Sequence, residues 1–286
     1  MMTLALVCVL AFSGGGFLGK KLAAAGITSD NALENYQKPL VWLLIAIAPL
    51  LGLLIVLDKF NLAPFLPKIF PPLLLIYLAG YFNEVLVGLG CFFLGLLLLL
   101  EVSGKRSRQQ IAQLLVALGA ISFALSILLF FLQPVQALVA QPKIIDNVVL
   151  QTTPYTCAPS TIATLARYTK RHPNITEQEV TKITKTNRFG TTTLSEIKAM
   201  EKLGLNPQYR HNLTIDDLIA TNKPALMHVK EKSKTGKGVR FSHAVALLSI
   251  NPERKLILIG NPLEGMQIKP FEDLDEYWFG EAILVQ

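Results

Sequence analysis

Four long apolar runs crowd into the first 132 residues, and they constrain the fold before any motif does. They are TLALVCVLAFSGGGFLG (3–19), VWLLIAIAPLLGLLIVL (41–57), VLVGLGCFFLGLLLLL (85–100) and IAQLLVALGAISFALSILLFFL (111–132). A helix needs ~20 apolar residues to cross the hydrocarbon core, and each run approaches that length. Charge divides the chain in the same place. Residues 1–140 hold 8 Lys+Arg and 5 Asp+Glu, whereas residues 141–286 hold 19 and 15. The sequence therefore predicts a transmembrane anchor domain over 1–140 and a soluble domain over 141–286, the second long enough to bury its own core.

A shorter run, IFPPLLLIYLAGYF (69–82), precedes the third with only Asn83 and Glu84 between them. It can extend that helix, lie along the interface, or form half of a tight hairpin. The expectation is about four spans, near 3–19, 41–57, 80–101 and 111–132. With an outside N-terminus, the inside loops carry Lys20, Lys21, Lys38, Lys105, Arg106 and Arg108, against Lys59, Lys68 and Lys143 outside. The positive-inside rule favours that orientation, and five spans would reverse it. Lys20 and Lys21 follow the first apolar run instead of preceding it, which fits an uncleaved anchor better than a signal peptide. The chain then reads as a multi-pass integral membrane protein, its partner the lipid bilayer and its soluble domain outside the cytoplasm. Cys8 and Cys91 read as apolar packing residues of the spans, and Glu84 as an acid at a helix end.

Past Gln133-Pro134 the pattern changes. QPKIIDNVV (141–149) reads as a linker entering a first strand. CAPSTIATLARY (157–168) reads as a helix, with Thr156 placed to cap it and Ile162, Leu165 and Ala166 facing a core. Thr176-Glu-Gln-Glu is a capping box opening a second helix. Residues 193–204 make a third, stopped by Gly204, and 215–220 a short fourth. Runs at 225–229, 243–250, 255–260 and 282–285 are β-rich. Helices first and strands afterwards predict an α+β domain, a helical subdomain packed on an antiparallel sheet.

Cys157 is the one cysteine outside the apolar runs. A helix N-terminus carries partial positive charge and favours a thiolate, so its position suits a nucleophile. The base must come from His172, His211, His228 or His243. His172 and His211 sit in polar loop contexts, and His228 lies inside the strand ALMHV as a satisfied core residue would. His243 opens the strand HAVALLSI, where the imidazole can face a cleft. Asn261, at the end of the following strand, can be its neighbour if the two strands form a hairpin. Gln151, six residues before Cys157, can supply an oxyanion donor beside the Cys157 backbone N–H. By spacing alone, catalysis and a structural thiol stand level.

The ordered set resembles the papain-like domain of the bacteriocin-processing cysteine peptidases (cysteine peptidase family thirty-nine), which cut leader peptides after double-glycine motifs. QTTPYTC matches that family's glutamine–nucleophile spacing, FSHAVALLSI its histidine strand, IGNPLEG its Asp-Pro segment with Asn261 in place of Asp, and FEDLDEYWFG its closing aromatic-glycine segment. The resemblance covers roughly 145–286. Thr156-Cys157-Ala158 stands where the family tends to show Asp-Cys-Gly, and the domain follows the spans instead of preceding them. It implies a papain-like cysteine peptidase in a bacterial membrane, with catalytic residues Cys157, His243, Asn261 and Gln151. The expected partners are a peptide or protein substrate and a separate transporter subunit, with no cofactor and no metal. The alternative is an inactive, membrane-anchored peptide-binding module of the same fold. Net charge is +7 without a dense basic stripe, which gives nucleic-acid binding no support. The spans carry too few ionisable groups for a translocation path.

Overall fold

The computed structural model describes residues 2–27, 70–102, 108–232 and 240–286. The chain divides into two compact units, Met1–Phe131 and Leu132–Gln286.

In the first unit the described residues form three helices: α1 (Met2–Ala24), α2 (Pro72–Val102) and α3 (Arg108–Phe131). Two described helical segments, Leu4–Ala24 and Pro72–Leu100, are long and apolar enough to cross a membrane, and Leu118–Phe131 is a shorter apolar stretch. The expected spans at 3–19, 80–101 and 111–132 thus coincide with helices, two of which meet the length and composition of a span. The span expected at 41–57 lies outside the described residues, so a four-span bundle remains an expectation. Residues 72–82 of the short run extend the third span without a break. Helical hydrogen bonds are local to the backbone, so Asn83 and Glu84 do not interrupt them. Glu84 accordingly lies inside a 31-residue helix and not at its end. It lines an apolar recess with Val7 and Ala11 of α1. At 1.5 Å per residue α2 is about 46 Å long, more than the ~30 Å hydrocarbon core requires. Small residues let α1 and α2 approach backbone to backbone: a Cβ on Gly15 would run into the Phe92 carbonyl, and one on Gly95 into that of Phe12.

The second unit opens on a hairpin, β1 (Lys143–Ile145) and β2 (Val148–Leu150). Asp146 and Asn147 both take positive φ, 49° and 64°, as a tight two-residue hairpin turn requires. The stretch expected as a linker entering a first strand thus holds that strand, β2, and a second one, β1, in place of the linker. Three helices follow, α4 (Cys157–Tyr168), α5 (Glu177–Thr184) and α6 (Thr193–Lys202). The Thr176–Glu179 capping box forms in full, and Gly204 sits just past α6 at φ +65°.

The remaining elements are β3 (Gln208–Arg210), α7 (Ile215–Thr221), β4 (Ala225–Lys232), β5 (Arg240–Asn251), β6 (Leu256–Asn261), β7 (Gly265–Pro270), α8 (Leu274–Tyr277) and β8 (Trp278–Leu284). Six strands form one sheet, ordered β3-β8-β4-β5-β6-β7, and every described pairing in it is antiparallel. The expected α+β domain is present, with two strands, β3 and β7, added at the sheet edges.

Alternation along β5 divides the core. Ala244, Ala246 and Leu248 join Ile162, Leu165, Ala166, Val180 and Met200 beneath the helices. Val245 and Leu247 face the other way and join Leu218, Ile257, Ile259, Leu274 and Tyr277. Period-2 alternation fixes this assignment, since a one-residue slip of β5 would exchange the two faces. Each fully buried aliphatic chain here contributes roughly 1.5–3 kcal/mol.

Candidate active site

The site is built where α4 meets β5. Two threonines, three residues apart and hence on one helix face, pin the helix in place. The Thr161 hydroxyl donates to the Ala244 carbonyl at 2.9 Å. Thr164 Oγ1 accepts from the Val149 N–H at 3.0 Å while donating to the Ser160 carbonyl at 2.8 Å. Both side chains are buried, so these bonds are made out of reach of competing water.

Cys157 is the first residue of α4. Thr156 holds the N-cap position, but its side chain makes no capping bond. Its backbone, at φ −110° and ψ 23°, is not extended as a capping residue's is. The hydroxyl turns instead to Thr153, 2.9 Å from that residue's hydroxyl and 3.2 Å from its carbonyl. The expected cap is thus absent. The first-turn N–H groups remain free of side-chain caps, as a helix end that must serve a thiolate or an oxyanion requires. Pro159 falls inside this first turn, where its missing N–H costs no helical hydrogen bond.

The Cys157 side chain is half-buried at the helix start. Burial pushes the Cys157 thiol up, and the negative charge of Glu196 adds to the shift. The backbone N–H groups of Ala244, Ala158 and Cys157 itself act in the opposite direction without overcoming it. The helix start alone leads one to expect a lowered thiol, but desolvation is the larger effect here.

His243 is buried, and its Nε2 lies 3.0 Å from Asn261 Oδ1. The Asn261 neighbours settle which ring nitrogen carries the proton. Oδ1 also accepts from the Leu263 N–H at 3.0 Å, while Nδ2 donates to Glu231 Oε2 at 3.1 Å. An amide oxygen facing His243 requires Nε2 to be the donor. Nδ1 of the neutral ring is then unprotonated and is the nitrogen able to act as base. Burial holds the His243 imidazole below its ordinary range, against the Asn261 hydrogen bond and the charges of Glu231 and Glu264. The ring is therefore neutral at neutral pH.

Gln151 is joined to the same neighbourhood through its backbone, whose N–H donates to the Pro262 carbonyl at 2.9 Å. Its side-chain Nε2 donates to the Thr153 carbonyl at 2.9 Å. That bond uses one of the two amide hydrogens and leaves a second donor on Nε2.

Of the four residues singled out by sequence, His243 meets Asn261 directly, Gln151 meets Pro262, next in sequence to Asn261, and Cys157 meets the backbone of Ala244, next in sequence to His243. Among the described residues, no hydrogen bond joins Cys157 Sγ to His243. The other histidines lie elsewhere. His172 is exposed, and His211 stacks on Tyr209. His228 Nε2 lies 3.0 Å from the buried Glu196 carboxylate. Among the described residues no group of His, Cys, Asp and Glu has the arrangement of a metal site.

Three side chains at the site escape a reading of the sequence: Glu231 and Tyr277 behind Asn261, and Glu196 behind Cys157. Tyr277 donates its hydroxyl to the same Glu231 oxygen at 3.1 Å. The only signal in the sequence is strand alternation, which puts Glu231 on the same face as Val229 and Met227.

Residues 146–286 match the family model described as the Peptidase C39 family. No curated protein matches the chain. Among solved structures it is similar to a double glycine motif protease from an AMS/PCAT transporter in complex with the leader peptide. That likeness has 21% identity and a TM-score of 0.38, covering 52% of this chain and 94% of the other. It is similar to the peptidase domain of Streptococcus ComA, a bi-functional ABC transporter involved in a quorum sensing pathway. Here identity is 24% and the TM-score 0.40, covering 48% of this chain and 95% of that one. The Streptococcus mutans ComA peptidase domain gives 24% identity and a TM-score of 0.37, covering 49% of this chain and 99% of its own. Through residues 146–286 the chain belongs to the Peptidase C39 family, and it is a cysteine peptidase.

Proposed function

We propose that the protein is a membrane-anchored cysteine peptidase that removes leader peptides through Cys157, His243 and Asn261, with Gln151 as an oxyanion donor. The observation that carries this reading is the fixed orientation of the Asn261 amide, which leaves His243 Nδ1 as the base beside the segment that holds Cys157.

His243 Nδ1 takes the thiol proton as Sγ attacks the scissile carbonyl carbon. The carbonyl oxygen gains the electron pair and is held by the Cys157 N–H and the second Nε2 hydrogen of Gln151. Collapse of this intermediate breaks the C–N bond, and the imidazolium gives its proton to the leaving amine. A water, deprotonated by the same nitrogen, then hydrolyses the thioester and frees the thiol. Asn261 keeps the ring plane and tautomer fixed through both halves.

A thiol-reactive peptide probe bearing a double-glycine end should label the wild type and leave Cys157→Ala unlabelled. The alternative, a peptide-binding module without turnover, draws on the missing Cys157–His243 hydrogen bond. Catalytic hydrogen bonds in ligand-free sites are often long and tighten on substrate binding. Equal labelling of the two proteins removes the nucleophile assignment, and binding without Cys157-dependent cleavage selects the module.

The anchor reading rests on the two apolar helices and on the excess of Lys and Arg in loops assigned to the inside. It makes the protein multi-pass in a bacterial plasma membrane, with the peptidase outside the cytoplasm and a separate transporter subunit as its source of substrate. Protease added to intact cells should then digest the C-terminal domain. A domain protected until the cells are opened reverses the orientation.

A further inference from the structure

An orienting residue for a catalytic histidine can be a carboxylate or an amide, and a carboxylate brings negative charge that an amide lacks. Here the amide is backed by a carboxylate. Asn261 Nδ2 donates to Glu231 Oε2 at 3.1 Å, and more weakly to Gln267 Oε1 at 3.4 Å. Tyr277 donates to the same Glu231 oxygen, which fixes that oxygen from its other side. Burial, followed by the Glu231 charge, keeps the Tyr277 phenol protonated and therefore a donor. The strand register supplies the placement. Val229 pairs with His243 and Glu231 with Phe241, so Glu231 stands diagonally across from His243 on the same face of the sheet.

We propose that Glu231 is a positioning residue for the base: it locks the Asn261 amide with Oδ1 toward His243, and it supplies from one residue further out the negative charge that an aspartate at 261 would carry. The proposal rests on the peptidase reading above. Turning the amide over would set Oδ1 against the carboxylate and Nδ2 against both the Leu263 N–H and the Nε2–H of His243. Glu231 thus selects one of two amide orientations, and with it the imidazole tautomer that leaves Nδ1 free. Positions 231 and 261 form a matched pair, one acid and one amide. An aspartate at 261 would face Glu231 with no proton between two carboxylates, and one of them would have to be protonated. Combining Glu231→Gln with Asn261→Asp exchanges the acid and the amide, and restores both the donor and the single charge.

The test is a double-mutant cycle on the full chain in detergent. It reads peptide cleavage alongside the titration of His243 by nitrogen NMR of labelled histidine. Asn261→Asp should lose about 10-fold or more in kcat/KM, and Glu231→Gln/Asn261→Asp should recover most of that loss, a non-additivity expected of directly bonded partners. The charged and titratable groups facing the ring are Glu231 from β4 and Glu264 from the β6–β7 turn, with Tyr277 of α8 against Glu231. Removing the Glu231 charge should lower the His243 pKa and move the acid limb of kcat/KM to lower pH. A residue that only supported the fold would leave that limb in place. Asn261→Asp as active as the wild type, or a double variant weaker than both singles, overturns the proposal. If Asn261→Asp does not fold, Glu231→Gln alone decides through the NMR titration, and an unmoved His243 pKa overturns it. If the wild type shows no Cys157-dependent turnover, the peptidase reading fails. The titration then still decides the positioning role, because it needs no substrate.

Discussion

His243→Ala should lower kcat/KM by roughly 10⁴-fold or more at neutral pH, because the nucleophile and its activating base act as one unit. The loss should be as complete as that expected for Cys157→Ala, for a reason specific to this site. Burial and the Glu196 charge hold the Cys157 thiol in its neutral form, and burial keeps the His243 imidazole neutral as well. The resting state is a neutral thiol and a neutral imidazole, not a preformed ion pair. Nearly all reactive thiolate must therefore be made by proton transfer to His243 during attack. Without that base, the remaining route is simple ionisation of the thiol, whose fraction rises tenfold per pH unit below its pKa. The residual activity of His243→Ala should accordingly climb about tenfold per pH unit from neutrality to beyond pH 9. In the wild type the rate should instead level off once the imidazole has lost its proton, at a pH below the ordinary histidine value of about 6.5. Rates measured from pH 5 to 10 for the two proteins check this. A flat profile in the variant would mean that the thiolate is already formed and that desolvation does not control the site.

The same electrostatics explain what the sequence can and cannot disclose. Chain order alone brings out Gln151, Cys157, His243 and Asn261, because a nucleophile at a helix start and a base opening a strand are properties of local segments. The hairpin of β5 and β6, expected from two β-rich runs, is what sets His243 beside Asn261. Glu231 and Glu196 escape notice because their roles depend on register and packing. Glu231 reaches Asn261 across 30 residues of sequence, and Glu196 meets His228 across 32. Nothing within either segment specifies those meetings. The β1–β2 hairpin is hidden for a different reason. Its turn is Asp146-Asn147, and an asparagine in place of the usual glycine weakens the short-range hairpin signal. Likewise Asn83-Glu84 looks like a break between two apolar runs. A helix, however, is sustained by its backbone, and two polar side chains do not end it.

Between pH 6.5 and 9 the C-terminal domain should lose about 3 kcal/mol of stability, and His228 is the residue responsible. Its ring lies between two carboxylates, 3.0 Å from Glu196 Oε2 on one side and 3.7 Å from Glu281 Oε1 on the other. Tyr209 completes the chain by donating to Glu281 Oε2 at 2.5 Å. Burial disfavours the charged ring, but the charge and hydrogen bond of Glu196, followed by the charge of Glu281, outweigh it and raise His228 to about 9. A histidine raised above its unfolded value of about 6.5 stabilises the fold fully below that pH, and the contribution disappears as pH rises through the folded value. The difference between about 6.5 in the unfolded chain and about 9 in the fold corresponds to roughly 3 kcal/mol. The cluster ties α6 to β4, β8 and β3, so its loss should loosen the helical face against the sheet near Cys157. Trp278 is buried and is one of two tryptophans in the chain, which makes it a usable reporter once Trp42 is replaced by phenylalanine. In that background the urea midpoint should fall steadily from pH 6.5 to pH 9. His228→Leu should be less stable than its parent by about 3–5 kcal/mol at pH 6.5, since it leaves the buried Glu196 carboxylate without its cation. It should also lose this particular pH dependence. A midpoint that stays constant across the window in the parent protein would mean that His228 is neutral in the folded state, and that Glu196 keeps its place beside Cys157 without a positive partner.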